Sequence, residues 1–446
     1  MSKYFLSIFF ILLFSISVVF SQSLKISDNG RYLQYENGDP FFYLGDTAWE
    51  LFHRLNKEEA DLYLQNRADK GFTVIQAVVL AELEGLTVPN PYGELPLVDL
   101  DPTKPNEKYF EHVDYIVNKA EELGLFIGML PTWGDKFNKK WGVGPEIFTP
   151  DNAEVFGEYV GNRYKDKPII WILGGDRNCE DQEDFDIIDA MAKGLEKGHN
   201  GNQLMTYHPQ GGTNSSEWFH DKTWLDFNMF QSGHSHLDDP LDYKFHGINY
   251  DLLPIKPTLN GEPCYEDHPV NWLQNGETNW FTDLNTRKAA YWSMFAGACG
   301  HTFGNHNIWQ MWQQDRYPIS WARTNWKEAL DYPGALQMKY MKELFESLDW
   351  QNLIPDQTII LNENKENKMY QMAMISRNSN LIIAYTPYGI EIAIDATKLK
   401  IEKFSAFWFN TRDSKRTVIG EFDNTKSLTF KPLSHGEGSD WVLILK

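Results

Sequence analysis

Two segments of the chain each carry one carboxylate to the end of an apolar run. In "KPIIWILGGDRN" (167–178) five apolar residues lead through two glycines to Asp176. In "KPTLNGEPCYED" (256–267) a shorter run ends on glycine, Glu262 and proline. A pair of carboxyl groups at one pocket is what cleavage of a glycosidic bond needs. One protonates the departing oxygen, and the other attacks the anomeric carbon or activates water. Gly174, Gly175 and Gly261 leave room for a substrate against the backbone, and Pro263 fixes the turn that follows. A single acid in such a place would be ordinary at a helix N-terminus, where it complements the macrodipole. Two of them, each behind glycine, favour the catalytic reading. Residue types alone do not say which is acid and which is nucleophile. Arg177 would lower the pKa of Asp176 if it faced the carboxylate. On an extended strand, though, neighbouring side chains alternate, and Arg177 is expected to face away.

Around this pair, several side chains lie at other strand ends. Asp46 is expected either to hold a sugar hydroxyl or to cap the helix that follows it. Trp49 and His53 come next, and Trp49 is counted with the substrate-binding set. Gln76, a polar residue inside an apolar run, needs a partner; it either lines the mouth, and is counted with the substrate-binding set, or is a satisfied core amide. Trp133, at the end of the third run, is expected either to stack on a sugar ring or to pack in the core. Asn178 lies on the Asp176 side if the strand continues. His208, Gln231 and His234 are placed to hydrogen-bond hydroxyls, and Asn260 to orient a carboxylate or the sugar. Asn305 and Trp309 are weaker candidates. The "HSH" at 234–236 resembles a zinc-binding pair. However, the first strand carries no His pair and "HTFGNHNIW" offers no acid, so neither a metal nor any other cofactor is expected.

The elements that position these residues follow from the pattern. Eight apolar runs, beginning with "PFFYLGDTAW" (40–49) and ending with "HTFGNHNIW" (301–309), alternate with amphipathic stretches. That pattern implies a parallel sheet covered by helices, and eight such units fit a closed (β/α)8 TIM barrel. No Gly-rich phosphate turn follows the first run, which disfavours a doubly wound sheet. Past "ALQMKYMKELFESLDW" (335–350) come short strands such as "NLIIAYTPYG" and "DWVLILK", predicting a small all-β sandwich packed rigidly on the barrel. The expected division is a leader over 1–21, the α/β barrel over 22–350 and the sandwich over 351–446.

The first 23 residues, "MSKYFLSIFFILLFSISVVFSQS", have the layout of a secretory signal peptide with cleavage near Ser21, so export to the periplasm or medium is expected. Acidic residues outnumber basic ones 62 to 41, and a formal charge of −21 repels phosphate backbones and anionic lipid. Nucleic-acid partners are thus disfavoured, as is a membrane partner once the leader is removed. A monomer is expected. The three cysteines, Cys179, Cys264 and Cys299, are too few for a disulfide framework and read as packing residues with at most one bridge.

Taken together, "FFYLGDTAWELFHRL", "GFTVIQAVVLAE", "IIWILGGDRN" and "LNGEPCYED" resemble glycoside hydrolase family 140, the apiosidase-like barrels. The tail, with "AFWFNTRDSK" and "DWVLIL", resembles the β-sandwich those proteins carry, although nothing in it indicates collagen binding. The resemblance implies a retaining, exo-acting enzyme that releases D-apiose from rhamnogalacturonan II, a plant cell-wall oligosaccharide substrate. It makes Asp176 the acid/base and Glu262 the nucleophile. Alternatives are a related barrel glycosidase on another pentofuranoside or arabinose-type linkage, and a non-catalytic carbohydrate-binding protein.

Overall fold

A computed structural model describes residues 23–424 and 427–446; the expected leader lies outside them. After a short antiparallel ribbon (Leu24–Ile26, Leu33–Tyr35, Pro40–Phe41), eight parallel strands form the barrel. They are β1 (Tyr43–Thr47), β2 (Val74–Leu80), β3 (Phe126–Thr132), β4 (Ile169–Gly174), β5 (Met205–His208), β6 (Asn228–Gln231), β7 (Thr258–Asn260) and β8 (Gly300–Phe303). Strands β8-β1-β2-β3-β4-β5 share one ladder and β6-β7 another. Single main-chain bonds close the two seams: Asp226 N–H to Met205 O (2.9 Å) between β5 and β6, and Cys299 N–H to Thr258 O (3.1 Å) between β7 and β8. The eight-strand α/β barrel is therefore present.

Residue parity decides what each strand offers the site. In β4, Ile170 and Ile172 fill the interior with Val74, Val78, Leu130 and Met229, while Trp171 and Leu173 pack outward on helices. Side chains alternate because the pleat does. Every residue of these eight strands is buried, as expected for a sheet covered on both faces. The helices begin where the sequence caps them. Asn56 makes a capping box with Glu59 at the start of Lys57–Asp69, and Asp181 accepts from Asp184 N–H at the start of Gln182–His199. The connection from β5 to β6 has only a four-residue helix, Ser216–Phe219.

The C-terminal strands form a six-stranded antiparallel sheet packed on a two-stranded one, the β-sandwich. Its contact with the barrel combines a buried ion pair with apolar packing. Helix Asp283–Phe295 sends Arg287 into a two-point bond with Asp440 (2.8 and 2.7 Å), both buried, and Tyr291 stacks on Tyr385 at 5.0 Å. One apolar cluster runs from Phe295 and Phe345 into Ile383, Val442 and Ile444. All three cysteines are buried free thiols, so the allowed single bridge is absent.

Candidate active site

At the end of β4 the chain does not continue extended. Gly174, Gly175 and Asp176 are left-handed in succession, with φ of 86°, 102° and 52°. A Cβ at Gly174 would lie 2.5 Å from His208 O, so the turn requires glycine there. Asp176 has a Cβ and holds a backbone that costs roughly 1–2 kcal/mol. Such strain persists where surrounding structure fixes it. Here the fixing contact is His208, at the end of β5. Its Nδ1 accepts from Asp176 N–H at 3.1 Å. That leaves the proton on Nε2, which lies 3.1 Å from Glu262 Oε2. One imidazole thus spans from the Asp176 main chain to the Glu262 carboxylate. His234 supplies a second nitrogen, Nε2, 3.1 Å from Oε1. The ring of His208 is wedged between Trp49 and Trp133, at 5.6 and 6.0 Å.

These neighbours drive the two carboxyls apart. Burial pushes Asp176 up, the Glu262 carboxylate pushes it further, and Arg177 and the histidines pull back less, leaving it at about 6. Burial alone would also raise Glu262. The close His208 imidazole and the hydrogen bond from His234 outweigh that and bring it down to about 2. At neutral pH Glu262 is an anion, while Asp176 titrates near neutrality. Tyr265 adjoins the pair and receives the Trp49 Nε1–H at 3.0 Å; its phenol is raised by burial and then by the Glu262 charge.

Asp176 and Glu262 line one cavity of about 810 Å³, and Trp49, Trp133, Gln231 and His234 line it with them. His208 is wholly buried and acts from behind the wall. Four expected binding residues lie elsewhere. Asp46 shares the outward parity of Leu44; it accepts from Tyr63 OH (2.5 Å) and Arg67 Nε (2.6 Å) on the covering helix. Gln76 is inside the barrel, below the mouth, bonded to Tyr43 OH and Gly261 O. Asn178 left the Asp176 side when the strand ended, and its Oδ1 accepts from Gln210 N–H and Thr213 OH. Asn260 donates to Ser232 Oγ and Asp242 Oδ1. For the same reason Arg177 does not face away. Its guanidinium donates to Asp176 O (2.7 Å) and lies 3.5 Å from Oδ2.

Other lining residues had no assigned role in the sequence. Glu82 stands two residues past β2, as the last letter of "FTVIQAVVLAE". Tyr265 follows Glu262 by three residues. Trp141 and Trp272 come from aperiodic loops whose direction no pattern reveals. The "HSH" pair is divided, with His234 committed to Glu262. Among the described residues no group of three or more His, Cys, Asp or Glu could hold a metal.

A TIM barrel whose C-terminal mouth joins an anionic Glu to an Asp of raised pKa is the architecture of a glycoside hydrolase. Comparison with known proteins narrows the class. The family model "Apiosidase-like, catalytic domain" matches residues 27–352, and the chain belongs to that family. The model "Putative collagen-binding domain of a collagenase" matches residues 354–446. A solved structure described as a glycoside hydrolase is 34% identical over 95% of this chain and 96% of that one, with a TM-score of 0.86. A family 5 glycoside hydrolase from Bacteroides vulgatus is also 34% identical, over 95% and 93%, with a TM-score of 0.87. A further structure from that organism, described as a "putative glycoside hydrolase", shares the fold at 12% identity and a TM-score of 0.67. No curated protein matches.

Proposed function

We propose that the protein is an exported, retaining, exo-acting glycosidase that releases D-apiose from the side chains of rhamnogalacturonan II. The observation that carries the mechanism is the opposed proton affinity of two carboxyls in one cavity. Glu262, held anionic by two imidazoles, attacks the anomeric carbon. Asp176 gives its proton to the glycosidic oxygen, and the leaving sugar departs as an alcohol. Asp176, now a carboxylate, takes a proton from water; the resulting hydroxide equivalent attacks the same carbon and frees Glu262. Retention predicts a spacing of roughly 5–5.5 Å between the two carboxyls, narrower than the gap that an inverting pair leaves for water. Family membership supports apiose, and the apolar leader supports export toward a polymeric wall substrate.

Glu262→Ala with added azide tests this reading. A glycosyl azide of configuration opposite to the substrate is expected. Its absence, with wild-type turnover intact, would remove Glu262 as nucleophile. Sugar analysis of digests tests the substrate: release from arabinan but not from rhamnogalacturonan II fragments would remove apiose.

A further inference from the structure

The cavity is larger than its glycone. A pentose has about ten heavy atoms, and at the ~30 Å³ that each water occupies in the liquid they need roughly 300 Å³. The cavity offers about 810 Å³. The surplus space has a built wall on the Asp176 side. Trp141 lies in the loop after β3 and is 56% exposed, yet its ring is seated on the Arg177 guanidinium at 4.1 Å from its centroid. Arg177 is itself buried and bonded to Asp176 O, Asn138 O and Lys139 O, so the same group fastens both the loop and the proposed acid. Beneath the loop, Asp135 pairs with Lys136 at 2.7 Å, both buried, and accepts from Gly144 N–H at 2.7 Å. Gly142 presses onto this base: a Cβ there would come within 2.2 Å of the Asp135 Cβ. A half-exposed indole held this firmly is a stacking surface rather than a loosely placed side chain.

Glu82 belongs to the same wall. It lines the cavity and, among the described residues, its carboxyl makes no hydrogen bond or ion pair. Burial raises its proton affinity well above the carboxylate range, and the charges of Asp176 and then Asp135 raise it further. Trp272, the other exposed indole of the lining, stands on the opposite side, 6.1 Å from His234. We propose that Trp141 and Glu82 form the subsite for the departing sugar, its ring stacked on the indole and its hydroxyls held at the edge by the Glu82 carboxyl. This rests on Asp176 being the group that protonates the glycosidic oxygen, because that assignment puts the leaving side of the bond against this wall.

The test uses the full chain. Calorimetry with rhamnogalacturonan II oligosaccharides on Glu262→Gln is compared with Glu262→Gln/Trp141→Ala. About tenfold weaker binding is expected in the double variant, with Trp141→Phe close to the parent. Equal affinity in all three would overturn the platform. Kinetics supply a second arm, with the sugar that the wild type releases presented both in its oligosaccharide and as its glycosyl fluoride, which has no leaving sugar. Trp141→Ala should lose about tenfold more kcat/KM on the oligosaccharide than on the fluoride; equal losses would overturn the subsite while leaving the glycosidase reading intact. A wild type inert on both substrates would remove both. For Glu82, the amide of Gln mimics a protonated carboxyl. Glu82→Gln should therefore retain most of the oligosaccharide kcat/KM that Glu82→Ala loses, whereas equal loss in both would overturn the edge contact.

Discussion

The ends of β4 and β7 do opposite things with one kind of side chain. At the end of β4 the backbone twists left-handed through two glycines, and Asp176 emerges with its pKa raised by burial and by a facing anion. At the end of β7 Glu262 keeps a lowered pKa although it is the more enclosed of the two, because two imidazoles face it, His208 at 3.1 Å and His234 in a hydrogen bond. Burial disfavours charge at both sites, and specific donors reverse that at only one. The acid and the nucleophile are thus distinguished by their neighbours, chiefly His208 and His234.

The sharpest break in that comparison comes from removing each carboxyl. Glu262→Ala should lower turnover by at least about 10³-fold on every substrate, whatever the leaving group. Asp176→Ala should cost about 10²–10⁴-fold on sugar leaving groups and far less on activated aryl glycosides, which need little protonation. Initial rates across a series of leaving groups measure this. Equal sensitivity in the two variants would mean that the roles are not divided between them.

His208→Ala and His234→Ala test the source of the difference. A hydrogen bond to a charged group contributes about 1.5–3 kcal/mol. Each variant should therefore lose roughly ten- to a hundredfold in kcat/KM. The sign of the pH effect follows from what is lost. These donors lower the Glu262 pKa, so without one of them it rises and the acid limb of the profile moves to higher pH. In the wild type the alkaline limb of kcat/KM should follow Asp176, with activity falling as pH rises through about 6, since the acid must be protonated. A profile flat from about pH 5 to about pH 8, on both sides of that value, would detach Asp176 from the protonation step.

What the sequence reveals of this arrangement ends where strand periodicity ends. The eight apolar runs identify the strands, and the strands bring Asp176 and Glu262 to one mouth. Expectations for Asn178 and Arg177 assume that β4 continues past Gly174, and two successive left-handed glycines cancel the alternation. Gln76 is a different failure. A polar residue in an apolar run signals that it has a partner but not where, and its partner is the Gly261 carbonyl inside the barrel. Trp141 and Trp272 reach the cavity from loops whose paths depend on buried contacts such as Asp135–Lys136, distant from any periodic pattern.

The smallest effect on turnover is expected at Asp46, which separates the mouth from the outer layer of the barrel. Its carboxylate bonds to Arg67 and Tyr63, and the guanidinium and carboxyl are both inaccessible to solvent. Asp46→Ala leaves Arg67 buried without its counter-charge, which typically costs about 3–5 kcal/mol. Denaturant unfolding should register that loss, while KM on the oligosaccharide stays at the wild-type value because the residue does not line the cavity. His234→Ala should do the reverse, keeping most of the stability and losing turnover. A raised KM in Asp46→Ala at full folded occupancy would return Asp46 to the substrate-binding set and erase the boundary between the two layers.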